Sequence, residues 1–247
     1  MKSKNAQLTI FIIVGILFLT AIVLMIFVFS GSGKTDLQVS SDKVNTFVVD
    51  CFESTIQNGI FFVGLQGGYN EVDNPKLEDP SFNVPLYFVD GGFIRFPSLE
   101  NVESELSDYV ETRIIDCVDN LEVEYDEEDI NADLSIRDKK VVANLDFPIR
   151  VSYSGSSTVL DEFYVEVDSD LKKRFGAVEE YVEEQKLKPD YLRIESLDRI
   201  ANESDLNVET YVYTDDNVVF KFVGDEVHPL FSNYTFVFAI KYDWGGV

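Results

Sequence analysis

The chain is poor in the residues that most chemistry needs. Histidine occurs once, at His228, and cysteine twice, at Cys51 and Cys117, in 247 residues. A Ser–His hydrolase would have to use His228, yet no G-x-S-x-G frame accompanies it and Ser154-Gly155-Ser156 reads as a turn. Two Cys and one distant His are too few for a structural zinc site. Residues 64–68 are glycine-rich but lack the Lys and the preceding strand of a phosphate loop, and no dinucleotide fingerprint occurs. Positive charge is also scarce, with 20 Lys and Arg against 45 Asp and Glu. Lys2 and Lys4 are the only charges in residues 1–30, so residues 31–247 carry every acid and the other 18 bases, a net charge of −27. Such a surface excludes nucleic acid and anionic lipid headgroups as partners, because both need a basic footprint. It favours solubility through self-repulsion, and suits high salt or divalent cations outside a cell. The acids lie among 20 Phe and 12 Tyr, so the domain is not a disordered acidic tail. No cofactor is expected.

What the chain does have is one long apolar run. Residues 8–29 hold 22 positions without a charge. As a helix they span about 33 Å, enough to cross a hydrocarbon core of about 30 Å. The run is longer than the apolar region of a signal peptide, and bulky Phe27-Val28-Phe29 occupies the place of a small-residue cleavage site. The reading is an uncleaved anchor in the cell membrane. The short tail with Lys2 and Lys4 lies inside and the acidic C-terminal domain outside. The expected organisation is a cytoplasmic tail over 1–7, a transmembrane helix over 8–30, a linker over 31–43, a helix–hairpin–helix segment over 44–121, and two three-stranded meanders around a helix pair over 122–247. The fold class is therefore α+β, with one transmembrane helix followed by amphipathic helices packed on antiparallel meanders.

An even pair of cysteines in an external domain predicts a disulfide between Cys51 and Cys117. Both sit in similar frames, Val48-Val49-Asp50-Cys51 and Ile114-Ile115-Asp116-Cys117, on two predicted helices. The first helix is expected from about 41 to 63, with Val44, Phe47, Val48, Cys51, Phe52, Thr55 and Ile56 on one face. The second runs from Ser98 to about 120, with Val102, Leu106, Tyr109, Val110, Ile114, Cys117 and Val118 as its stripe. Residues 70–85 read as a polar loop with three prolines. A hairpin over 86–96 turns at Asp90-Gly91-Gly92. Strands follow near 132–137, 140–152 and 158–167, with Pro148 marking an edge or bulge. Helices over 170–186 and up to about 201 precede strands near 207–213, 218–223 and 234–243. Residues 136–142 and 213–219 echo one another, through duplication or through shared hairpin grammar.

Three surface features are candidates for function. Gly67, Gly68 and Tyr69, with the aromatic hairpin residues Tyr87, Phe88, Phe93 and Phe96, offer close backbone approach and contact area for a partner. Asp126, Glu127, Asp129, Asn131 and Asp133 open like a calcium loop, although Leu134 stands where the turn Gly belongs and Lys140 where the bidentate Glu belongs. Asn202 and Asn233 head glycosylation-type sequons.

The junction Lys4-Asn5-Ala6-Gln7-Leu8-Thr9 resembles the processing site of archaeal type IV pilin-like precursors, with Phe11 where many pilins place Glu. The resemblance implies cleavage between Ala6 and Gln7 and a pilin-like filament or minor pilin subunit. The cysteine-bearing helices with their turn also loosely resemble uncharacterised archaeal membrane-anchored proteins, and no function comes with that likeness. The residues themselves point to a non-catalytic surface, adhesion or protein-binding role, tied to the bilayer through 8–29. An envelope hydrolase using paired carboxylates is the alternative from another class.

Overall fold

Two helices hold two sheets together. The computed structural model describes residues 41–78, 82–119, 121, 123–153 and 156–244. The expected anchor, processing site and most of the linker lie outside the described residues. Among the described residues no helix is long and apolar enough to cross a membrane. Residues 41–247 form one unit of mixed α+β structure.

Helix α1 (Ser41–Leu65) and helix α2 (Leu99–Val118) run antiparallel. Their stripes bury Val44, Val48, Phe52, Ile56 and Ile60 on α1 and Val102, Leu106, Val110 and Ile114 on α2. The Ser98 side chain accepts from Asn101 N and caps α2 as expected. Helix α1 ends where Gly67 (φ +59°) and Gly68 (φ +86°) turn the chain back, with Gly68 N donating to Val63 O at 2.8 Å. The disulfide joins Cys51 to Cys117 with a Cα–Cα distance of 6.1 Å.

The first sheet contains β4 (Val123–Glu124), β5 (Asn131–Ile136), β6 (Lys140–Tyr153) and β7 (Ser156–Asp168). All pairs are antiparallel around central β6. Alternation along β6 buries Val141, Ala143, Leu145, Phe147, Ile149 and Val151 under α1 and α2, while Asn144, Asp146 and Arg150 face water. Pro148 sits at a register shift between Asp146 and Ile149. On the other side of β6 it falls between β5 and β4, where no neighbour asks for its missing N–H.

The outer edge of β5 is closed by side chains of α2 rather than by a strand. Glu103 Oε1 accepts from Ile136 N at 2.7 Å, Ser107 Oγ from Leu134 N at 3.3 Å, and Glu111 Oε1 from Ala132 N at 2.8 Å. Four residues of helix rise about 6 Å and two residues of strand about 6.6 Å, so a polar residue every fourth position of α2 meets every second amide of β5.

The second sheet has the order β1-β2-β10-β9-β8, with β3 paired to β2. These are β1 (Lys76–Glu78), β2 (Asn83–Val89), β3 (Gly92–Phe93), β8 (Asn207–Val212), β9 (Asn217–Val227) and β10 (Asn233–Lys241). Helix α3 (Leu171–Leu187) covers one face, and α4 (Ile194–Ser204) follows it. Tyr87, Phe238 and Phe220 stack across β2, β10 and β9 at 4.7 and 5.0 Å, under Tyr181 of α3. On the other face Val84, Leu86, Val219, Val237 and Ala239 form a smaller core, closed by Leu65, Leu77 and Phe82.

Two expectations are corrected. The expected loop over 70–85 contains β1, three residues too short to register as a pattern, and the first three residues of β2. The sheets are not purely antiparallel meanders, because β10 pairs β2 in parallel. The stacked rings of Tyr87 and Phe238 and the buried run of β10 explain that pairing.

Candidate functional site

Between α1 and α2 lies a groove of about 660 Å³, within the size range of ligand sites. Helix α1 contributes Ser54, Asn58 and Phe62, and α2 contributes Tyr109, Arg113 and Asp116. The Cys51–Cys117 disulfide closes one end, and Gln66, Asn70 and Phe82 line the other. Cys51 to Gln66 is a helical rise of about 22 Å.

Each wall is fixed from beneath. At Gly59 an added Cβ would meet Tyr109 Cδ1 at 3.0 Å, so the glycine lets the Tyr109 ring lie against α1. That ring stacks on Phe62 at 6.2 Å, and Phe62 in turn meets Phe61 and Phe231 edge-on. Gln66 donates to Tyr69 O and Asn70 O at 3.2 and 2.6 Å, and accepts from Asn83 N. Asn70 N donates to Glu105 Oε2 of α2 at 2.8 Å. Burial raises the Glu105 pKa, and that backbone bond opposes the rise. Thr55 at the disulfide end donates to Cys51 O and lies 3.7 Å from Cys117 Sγ.

The groove keeps unused hydrogen-bonding capacity. Among the described residues, Ser54, Asn58 and the Tyr109 hydroxyl have no hydrogen-bond partner, and Arg113 reaches only Asp116 at 3.9 Å. Burial raises the Tyr109 pKa, which keeps its hydroxyl a donor at any ordinary pH; Arg113 lowers it in part and Asp116 adds to the rise. The titrating side chains that line the groove are Tyr109, Arg113 and Asp116, since the disulfide cysteines do not titrate.

The expected recognition set is largely internal, which corrects the sequence reading. Gly67, Gly68, Tyr87 and Phe88 are buried. The Tyr87 hydroxyl donates to Gly67 O at 2.7 Å, tying the α1 turn to β2. Phe96 stacks on Phe175 at 5.1 Å, and Arg95 lies over the Tyr69 ring at 4.8 Å. Only Phe93 of that set remains exposed, at 43%, with Lys186 over its ring. The turn and the hairpin pack on one another, which is why both were so apolar.

The acidic segment likewise does not gather its side chains around one point. Among the described residues no group of three His, Cys, Asp or Glu can hold a metal ion. Asp126 accepts from Glu128 N at 3.1 Å and caps a 3-10 turn, whereas Asn131 and Asp133 stand on the wet face of β5. The strand that follows fixes the carboxylates in a row, where a calcium loop would wrap them around an ion. Asn202 is exposed on α4 with its amide on Asp198 O at 2.7 Å, and the Asn233 amide is held by Gly224 O at 2.9 Å. His228 is 3% exposed, stacked on Phe231 at 4.6 Å, and its Nδ1 accepts from Leu230 N.

Sequence reasoning missed the groove because its residues are the polar flank of each helix, next to the apolar stripe. The signal is present in retrospect as Ser54, Asn58 and Phe62 at four-residue spacing, facing Tyr109, Arg113 and Asp116. Comparison with protein families, curated proteins and solved structures finds no match.

Proposed function

We propose that the chain is a single-pass membrane protein whose external domain binds a partner at the cell surface without catalysing a reaction. The groove between α1 and α2 is the observation that carries this reading: it is open, rigidly walled, and rich in polar groups that the protein itself leaves unbonded. The apolar run over 8–29 supports the anchor, and the Cys51–Cys117 bridge suits an oxidising compartment. With residues 8–29 in the bilayer, the 11 positions from 30 to 40 reach at most about 40 Å. The start of α1 therefore stays close to the membrane. In this account the groove acts as an adhesion or capture surface held near the bilayer.

A photo-crosslinking amino acid placed at Ser54 or Arg113 in the full chain, in the producing cells, tests the reading. Adducts at both groove positions, and none from the exposed β7 position Glu162, are the expected result. Adducts at Glu162 as strong as at the groove, or none at any position, contradict it.

A further inference from the structure

We infer that the α1–α2 groove takes a neutral oligosaccharide. The inference rests on the groove being the binding surface and names its ligand class.

Four observations select this chemistry. First, the two long walls are helices whose backbone amides are bonded within each helix, so those walls offer side chains only. A peptide adding a strand needs an open backbone edge, and the helical walls offer none. Second, the groups left without a hydrogen bond suit hydroxyl partners: the Ser54 hydroxyl, the Asn58 amide with donors and an acceptor, the Tyr109 hydroxyl, and the Arg113 guanidinium, which stands 3.9 Å from Asp116. An amide or a guanidinium–carboxylate pair such as Arg113–Asp116 can bond two adjacent hydroxyls of a pyranose at once. Third, the half-buried rings of Phe62 and Tyr109, 6.2 Å apart, line the groove together, and Phe82 stands at the end. Sugar rings present C–H groups on one face and hydroxyls around the rim, which suits aromatic faces bordered by polar side chains. Fourth, the domain charge of −27 repels polyanions, which removes nucleic acids and acidic polysaccharides. The groove is long and open, which fits a chain of rings better than an enclosed small molecule.

The test titrates the detergent-solubilised full chain with hexose and N-acetylhexosamine oligomers, neutral and acidic, by calorimetry. Saturable binding of a neutral oligomer is expected. Asn58→Ala and Tyr109→Ala should each weaken it about tenfold, a loss of about 1.4 kcal/mol. Tyr109→Phe keeps the ring and should weaken it less, while Glu162→Ala leaves it unchanged. The melting temperature of Asn58→Ala should match the parent, which separates lost contacts from lost folding. No saturable binding by any neutral oligomer overturns the inference, as does binding that survives both Asn58→Ala and Tyr109→Ala. Tighter binding of acidic oligomers overturns it too. Groove crosslinks to a protein together with absent sugar binding overturn the sugar and leave the groove a binding surface.

Discussion

Substituting the three α2 residues that close the β5 edge gives the sharpest test of how the domain is held together. Glu103, Ser107 and Glu111 accept from Ile136, Leu134 and Ala132 N–H at 2.7, 3.3 and 2.8 Å. A hydrogen bond to a charged acceptor contributes about 1.5–3 kcal/mol, and a neutral one about 0.5–1.5 kcal/mol. Alanine recovers about 0.3–0.5 kcal/mol per position through helix propensity. Lost bonding outweighs that gain, so Glu103→Ala and Glu111→Ala should each cost about 1–2 kcal/mol, and Ser107→Ala about 0.5 kcal/mol. The triple variant should lose about 3–4 kcal/mol, a large share of a typical stability of 5–15 kcal/mol. It should also open β5 to edge pairing, seen as concentration-dependent light scattering. Urea unfolding measures the free energies, with Asp108→Ala on the exposed face of α2 as the control, expected within 0.5 kcal/mol of the parent. Costs for Glu103→Ala and Glu111→Ala no larger than the control would refute the edge-closing role.

Other outcomes follow from the same structure. Reducing Cys51–Cys117 releases a 66-residue separation and should lower stability by up to about 4 kcal/mol on chain-entropy grounds, read as a fall in melting temperature under reductant. Burial lowers the His228 pKa below its ordinary 6.5, so the unfolded chain binds the proton first. This residue's contribution is intact above pH 6.5 and is lost as pH falls from 6.5 toward the lowered native value. Stability curves of the parent and His228→Phe should therefore diverge in slope over that window, and parallel curves would remove the effect. Raising monovalent salt from about 10 mM to about 1 M shortens the screening length from about 30 Å to about 3 Å, and should raise the melting temperature of this acidic domain. Calcium should add nothing beyond matched ionic strength, since Asp126, Asp129, Asn131 and Asp133 do not converge; a calcium-specific rise would contradict that arrangement.

Much of the fold was legible because single elements declare themselves through period. The stripe from Val102 to Val118 and the strict alternation from Val141 to Val151 both translate directly into burial. Pro148 was readable as an edge or a bulge from its missing amide, and the structure places a register shift there in the central strand. The parallel pairing of β2 and β10 was not legible, since strands far apart in the chain carry no mark of adjacency. Tyr87 and Phe88 were misread as a surface because an aromatic hairpin looks alike whether it faces a partner or its own helix. The groove was hidden for a related reason. Asn58 and Tyr109 become a site only when Gly59 lets the two helices approach, and that depends on a packing that neither helix specifies by itself.

In the proposed function, residues 8–29 hold the groove-bearing domain outside the cell. Protease applied to intact spheroplasts carrying the full chain tests it most directly. The domain over 41–247 should be digested without lysis, while the chain stays in the membrane fraction after alkaline wash. Protection of the domain until lysis, or its release by the wash, would contradict an external, membrane-held domain.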